Sequence, residues 1–250
     1  MKITCKNCGT HFEGNYCYNC GQSADTHKLN SGYLRQNLHG LLFKYFHKGI
    51  LYTSKQLLTK PGHSVRDYLA GKRVGHFDPI SLLITFAALY GLLYHALGIN
   101  IIDSSTVKDA KEAAENSAVN TWIIGHYALV TCTTLPFLAL GSYLCFRKQG
   151  YNFVEHIVFN AFFASQRMLV HLATIPIQVM LNNTHDLHKF LNGMLIIDLG
   201  LLIWSYHQLF NKLKTGKVVG LTLLTYLIFT ISYMSVVGLI LILLPILGLL

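Results

Sequence analysis

Five stretches of about 20 residues, near 79–98, 122–146, 153–181, 192–210 and 220–244, carry almost no charge, and they constrain this chain more than any other feature. The hydrocarbon core of a bilayer is about 30 Å thick, and a helix needs about 20 apolar residues to cross it. A soluble domain carries about a quarter charged residues. Here the share is 12%, against 52% hydrophobic. The shortage is uneven, because the charges concentrate before residue 80. Residues 79–250 are therefore read as an all-α membrane domain of about five transmembrane helices.

The basic residues predict which way round the helices sit. Of the 20 Lys and Arg, 16 fall before the first stretch or in the loops 147–152 and 211–219. The alternate loops, 99–121 and 182–191, hold Lys108, Lys111 and Lys189. The first of these also holds Asp103, Asp109, Glu112 and Glu115. Lysine and arginine stay on the cytoplasmic side, so the N-terminus is expected inside and the C-terminus outside a bacterial inner membrane. The net charge of +9 is then matched to anionic lipid rather than to nucleic acid. Residues 1–20 have no apolar h-region, so the first span is expected to act as its own insertion signal.

Residues 1–25 carry a separate signal. Cys5-Lys-Asn-Cys8-Gly9 is echoed by Cys17-Tyr-Asn-Cys20-Gly21. Four thiolates make a closed tetrahedral zinc site, structural rather than catalytic. A segment this short cannot fold on apolar burial, so the metal must supply its folding energy. A cytosolic position argues against disulfides. One structural zinc held by Cys5, Cys8, Cys17 and Cys20 is the expected cofactor. Phe12, Tyr16 and Tyr18 are expected to pack the ribbon, with a docking face as the alternative. Cys132 and Cys145 read as small apolar packing residues.

Residues 26–78 form a basic juxtamembrane region. Leu34, Leu38, Leu41, Leu42, Tyr45, Phe46, Ile50 and Leu51 recur at helical spacing among Arg35, His39, Lys44, His47, Lys48, Lys55 and Lys60. That pattern suits a helix lying in the headgroup layer. Pro61-Gly62 should break it, Ser64 should cap a short following helix, and Gly71 should end that helix. Asp78 and Pro79 are a good N-cap and first residue for the first span. Arg66, Tyr68, Lys72 and Arg73 cluster at headgroup depth and form a candidate lipid-phosphate or anion site. Ordinary positive-inside anchoring is the plainer account of Lys72 and Arg73.

The third stretch differs from the rest. His156, Asn160, Arg167, His171, Thr174 and Gln178 fall within about 60° of one another on a helix. Such a face cannot meet lipid and must look into the bundle or a wet cavity. Counting about 1.5 Å per residue from each end places Arg167 and Asp198 at the same depth. We expect them to pair, with His171 and His126 nearby. The cluster of Arg167, His171, Asp198, Asn160, His156 and His126 is either interhelical glue or a functional site.

The run Lys60-Pro61-Gly62, Arg66-Asp67-Tyr68-Leu69-Ala70-Gly71-Lys72-Arg73, Phe77-Asp78-Pro79 resembles a bacterial membrane family, domain of unknown function 3667. The resemblance covers the ribbon and about residues 40–95. It implies a zinc-ribbon head before a basic segment where the chain meets the membrane, and it brings no activity. Lys60 stands where the family often has Arg, which weakens planar phosphate recognition there.

No P-loop, dinucleotide fingerprint or nucleophile elbow is present, and no complete catalytic site is legible. The leading expectation is a non-enzymatic scaffold or adaptor that contacts anionic lipid or a cytosolic protein partner. A homo-oligomer is compatible with it. The alternatives are a small-solute or ion transporter using the polar third helix, and a lipid-acting membrane enzyme.

Overall fold

A computed structural model describes residues 2–26, 29, 49–102 and 110–246. The expected amphipathic stretch from Leu34 to Lys48 lies outside them.

The chain begins with a small ribbon. Strands β1 (Ile3–Thr4) and β2 (His11–Phe12) pair antiparallel, Ile3 opposite Phe12. Helices α1 (Ile50–Thr59), α2 (Pro61–Leu69) and α3 (Pro79–Leu97) follow, then α4 (Ala110–Gly125) and α5 (Tyr127–Phe146). Next come α6 (Phe153–Ala173), α7 (Ile175–Met180), α8 (His185–Leu209) and α9 (Thr215–Ile246).

Among the described residues, four helices are long and apolar enough to cross a membrane: Pro79–Leu97, Tyr127–Gln149, His185–Leu209 and Thr215–Ile240. The chain is therefore an all-α membrane protein with about four such spans, not the five read from sequence. The difference is α6, whose His156, Asn160, Gln166 and Ser165 are fully buried. It packs against α3, α5 and α8 and is shielded by them. A shielded helix does not have to be apolar all round. The third stretch is also two helices rather than one. The chain turns at Thr174, and Pro176 sits in the first turn of α7.

Contacts between named residues set the directions. Gly91 of α3 faces Ile124 and Tyr127 at the start of α5, so α3 and α5 run oppositely. Asp198 and Tyr206 of α8 meet His171 and Asn160 of α6, so these two also run oppositely. Gly141 faces Thr225, and Phe137 packs on Tyr233, which sets α9 against α5. One end of the bundle thus gathers α1, α2, the loops 147–152 and 210–214, and the start of α9. The ribbon is fastened to the same end. Gln22 Oε1 accepts from the Arg73 amide at 3.3 Å, and Gly71 lies against Lys6 and Thr26.

The local stops follow from sequence, with one exception. Asp78 caps α3 by accepting from the Ser81 amide at 2.9 Å. Gly71 has φ +98°, and the Gly71 and Lys72 amides donate to Tyr68 and Asp67 carbonyls, a Schellman stop for α2. Asn152 and Glu155 form a reciprocal capping box at the start of α6. Ser64, however, is not a cap. Helix α2 starts at Pro61, where the missing N–H costs nothing. The Ser64 hydroxyl instead meets His76 Nε2 at 3.0 Å.

Candidate metal centre and buried polar cluster

The two halves of the ribbon repeat one backbone pattern. The Cys5 amide donates to Thr10 O and the Gly9 amide to Cys5 O. The Cys17 amide donates to Gln22 O and the Gly21 amide to Cys17 O. Gly9 and Gly21 both sit at φ +75°, where a side chain would be strained. Each CxxC thereby forms a knuckle with its two sulfurs on one side.

The four Sγ atoms all lie within 4.8 Å of one another. Cys5 and Cys20 are 3.5 Å apart, and Cys8 and Cys17 are 3.6 Å apart. A disulfide needs about 2.05 Å, so all four thiols are free. Four sulfurs about 2.3 Å from a common centre would be separated by distances of this order. The donor set therefore fits one closed four-coordinate metal ion.

Phe12 is buried between Cys5 and Cys17. Tyr16 and Tyr18 are 68% and 80% exposed, contrary to the expectation that all three aromatics pack. The ribbon core has room for one ring among four cysteines.

The basic candidates do not converge on one point. Tyr68 is 4% exposed and packs on Phe162, with ring centroids 5.1 Å apart. Arg73 lies over its other face at 5.4 Å. Lys72 pairs with Asp67 at 2.9 Å, and Arg66 lies in α2, half-buried. Tyr68 thus belongs to the bundle core rather than to a headgroup layer.

Inside the bundle, α6 is lined by hydrogen bonds along its length. Near the basic end, Ser142 Oγ meets His156 Nδ1 at 3.0 Å and accepts from Asn160 Nδ2 at 2.9 Å. The Tyr206 hydroxyl donates to Asn160 Oδ1 at 2.8 Å. Further along, Ser205 donates to Gln166 Oε1 at 2.7 Å. Beyond the far end of α6, in α7, Gln178 Oε1 accepts from Tyr94 of α3.

Between these layers, His171 Nε2 approaches both Asp198 oxygens, at 3.0 and 3.2 Å. Arg167 Nη1 is 3.8 Å from Asp198 Oδ2, beyond hydrogen-bond reach. His126 stands apart from this group. Its Nδ1 meets Trp122 O at 2.9 Å, and its ring stacks on Trp122. Sequence reasoning missed Ser142, Tyr206 and Ser205, each a lone hydroxyl in an apolar helix with no periodic signature. It also missed the Ser64–His76 pair.

These features define a class: a multi-helix membrane protein with a four-cysteine metal ribbon joined to its basic end. A family model described as Protein of unknown function (DUF3667) matches residues 48–91, from just before α1 to the middle of α3. No curated protein matches the chain, and no solved structure does.

Proposed function

We propose that this chain is a non-enzymatic protein of a bacterial cytoplasmic membrane, and that its zinc ribbon, α1 and α2 form a platform against the anionic inner leaflet. The observation that carries this reading is the outward face of α1. Leu51, Lys55 and Leu58 fall within about 60° of one another on the helix. Leu51 is 82% exposed and Leu58 47%. Exposed leucines around a lysine are wasteful in water and favourable in a headgroup layer. The same end of the bundle carries Lys60, Lys72, Arg147, Lys148, Lys212, Lys214 and Lys217, all exposed. Each is worth about 1 kcal/mol beside anionic lipid. Zinc is the metal that suits four thiolates without redox chemistry.

In this reading the N-terminus lies in the cytosol, and α6, sheathed by its neighbours, crosses along with the four apolar helices, so that α9 carries the C-terminus outward. Protease added to spheroplasts should spare the ribbon and cut near Lys108 or Lys111. Native mass spectrometry of the full chain in mixed phosphatidylglycerol and phosphatidylcholine should show one zinc and preferential retention of phosphatidylglycerol. A Leu51→Gln/Lys55→Gln/Leu58→Gln variant should lose most of that preference. An unchanged lipid ratio would favour the other reading of the platform, a docking surface for a cytosolic protein.

A further inference from the structure

Arg167 is in the wrong place for a satisfied arginine. A guanidinium has five N–H donors, and no hydrogen bond from Arg167 is made among the described residues. Its Nε is buried and has no partner. Asp198, the nearest anion, is occupied by His171 and stands 3.8 Å away. The Arg167 side chain is 28% exposed, and what it faces is a cavity of about 60 Å³. Arg167 and Asp198 give its charged side, Thr134 and Tyr226 also line it, and the rest of the wall, including Phe163 and Leu202, is apolar. A buried water needs about 10–15 Å³ of such space, so the cavity is several times too large for one water.

We propose that this cavity binds a carboxylate, whose planar head pairs with the Arg167 guanidinium. A carboxylate matches the guanidinium fork in shape. A doubly charged phosphate is disfavoured by Asp198 beside it. The apolar walls accept a short alkyl stub. Helix α9 packs mainly on α5 and far less on α8, so the cavity lies at a seam that an acyl chain can enter from lipid. Arg167 and Asp198 alone are neutral together, so a bound carboxylate leaves one negative charge. His171 Nε2, 3.0 Å from Asp198 Oδ1, lies beside that charge. The other titratable groups facing the cluster are Tyr90 of α3, Tyr127 of α5 and Tyr226 of α9. The inference is independent of the inner-leaflet platform proposed above.

The test uses the full purified chain in a neutral detergent, with acetate, dodecanoate and methyl dodecanoate as probes, read by thermal shift and titration calorimetry. Dodecanoate is expected to bind and the methyl ester is not. Arg167→Gln should weaken dodecanoate at least about tenfold. Ala164→Leu, which fills the cavity and leaves Arg167 in place, should do the same and decides the matter if Arg167→Gln does not fold. Acetate binding as strongly as dodecanoate would identify a small solute as the source of the carboxylate. Dodecanoate binding alone would identify a membrane amphiphile. Equal binding of the ester, or undiminished binding to Ala164→Leu, overturns the proposal.

Discussion

Asn160 joins three helices through one amide. It accepts from Tyr206 of α8 and donates to Ser142 of α5, and all three residues are buried. Asn160→Leu takes the acceptor from the buried Tyr206 hydroxyl, whereas Ser142 keeps Ala139 O and His156 Nδ1. We expect a loss of about 1–3 kcal/mol, measured as a lower unfolding temperature in detergent. Ser142→Ala, which leaves the Tyr206 bond intact, should cost about 1 kcal/mol. If Asn160→Leu melts with the parent, this layer is not holding the helices. His76 offers a second test at this scale. Burial against Tyr52 and Tyr68 pulls it below its ordinary 6.5, with Asp67 opposing. The unfolded chain therefore takes up a proton at a higher pH than the folded one. Stability from this group is complete above 6.5 and falls as the pH drops below it. A thermal-unfolding series from about pH 7.5 to about pH 5 should show that fall, and His76→Gln should flatten it. The same slope in both proteins would place the acid sensitivity elsewhere. Arg167 and Asp198 could be set at one depth by counting residues from each end. Tyr206, Ser142 and Ser64 could not, because an isolated hydroxyl reads alike whether it meets lipid, backbone or another helix.

Close helix crossings depend on glycine at two places. A Cβ on Gly62 would stand 2.4 Å from the Leu209 amide nitrogen, and one on Gly141 would stand 2.7 Å from Thr225 O. Small residues at such points let membrane helices touch backbone to backbone. Gly62→Ala must push α2 away from α8 and should cost about 1–3 kcal/mol. Gly200→Ala meets nothing within 4 Å and should be neutral, or stabilising by up to about 1 kcal/mol. The pair is informative only together, by thermal unfolding in one detergent. If both variants behave alike, the close crossing of α2 and α8 is not what the glycine serves. The starts and stops of α3, the Gly71 turn and the apolar stretches of α5, α8 and α9 were legible because each rests on local chemistry. The span count was not. Length and periodicity identify α6 as a helix, but whether its polar face is clad by neighbours depends on contacts distant in sequence. The start of α2 was misread for a related reason. Ser64 looks like a cap locally, but His76, twelve residues on, claims its hydroxyl.

The molecule has two cores of very different size. The bundle shares one continuous apolar cluster from Leu29 to Val218, while the ribbon has only Cys5, Phe12 and Cys17 fully inside, flanked by Ile3, Cys20 and Ala24. A core of three residues cannot offset the backbone entropy of the chain around it, about 1–2 kcal/mol per residue; a metal held by the four cysteines would supply the difference. The bundle has no such dependence. The charge asymmetry and the duplicated CxNCG made this division legible from sequence, but not the joint between the parts. That joint is the turn after α2, where the Arg73 amide reaches Gln22 and Gly71 lies against Lys6 and Thr26. Chelating the metal should therefore act in a graded way. Protease should cut within residues 2–26, and amide exchange should rise at Arg73, which loses its acceptor. Exchange in α6 should stay unchanged, because its described hydrogen bonds to other helices run to α5, α7 and α8 and none of them reaches the ribbon. Hydrogen exchange read by mass spectrometry, with and without chelator, resolves these segments. Faster exchange throughout α6 would mean that ribbon and bundle unfold as one unit, and that a metal on the four cysteines stabilises the whole membrane domain rather than the ribbon alone.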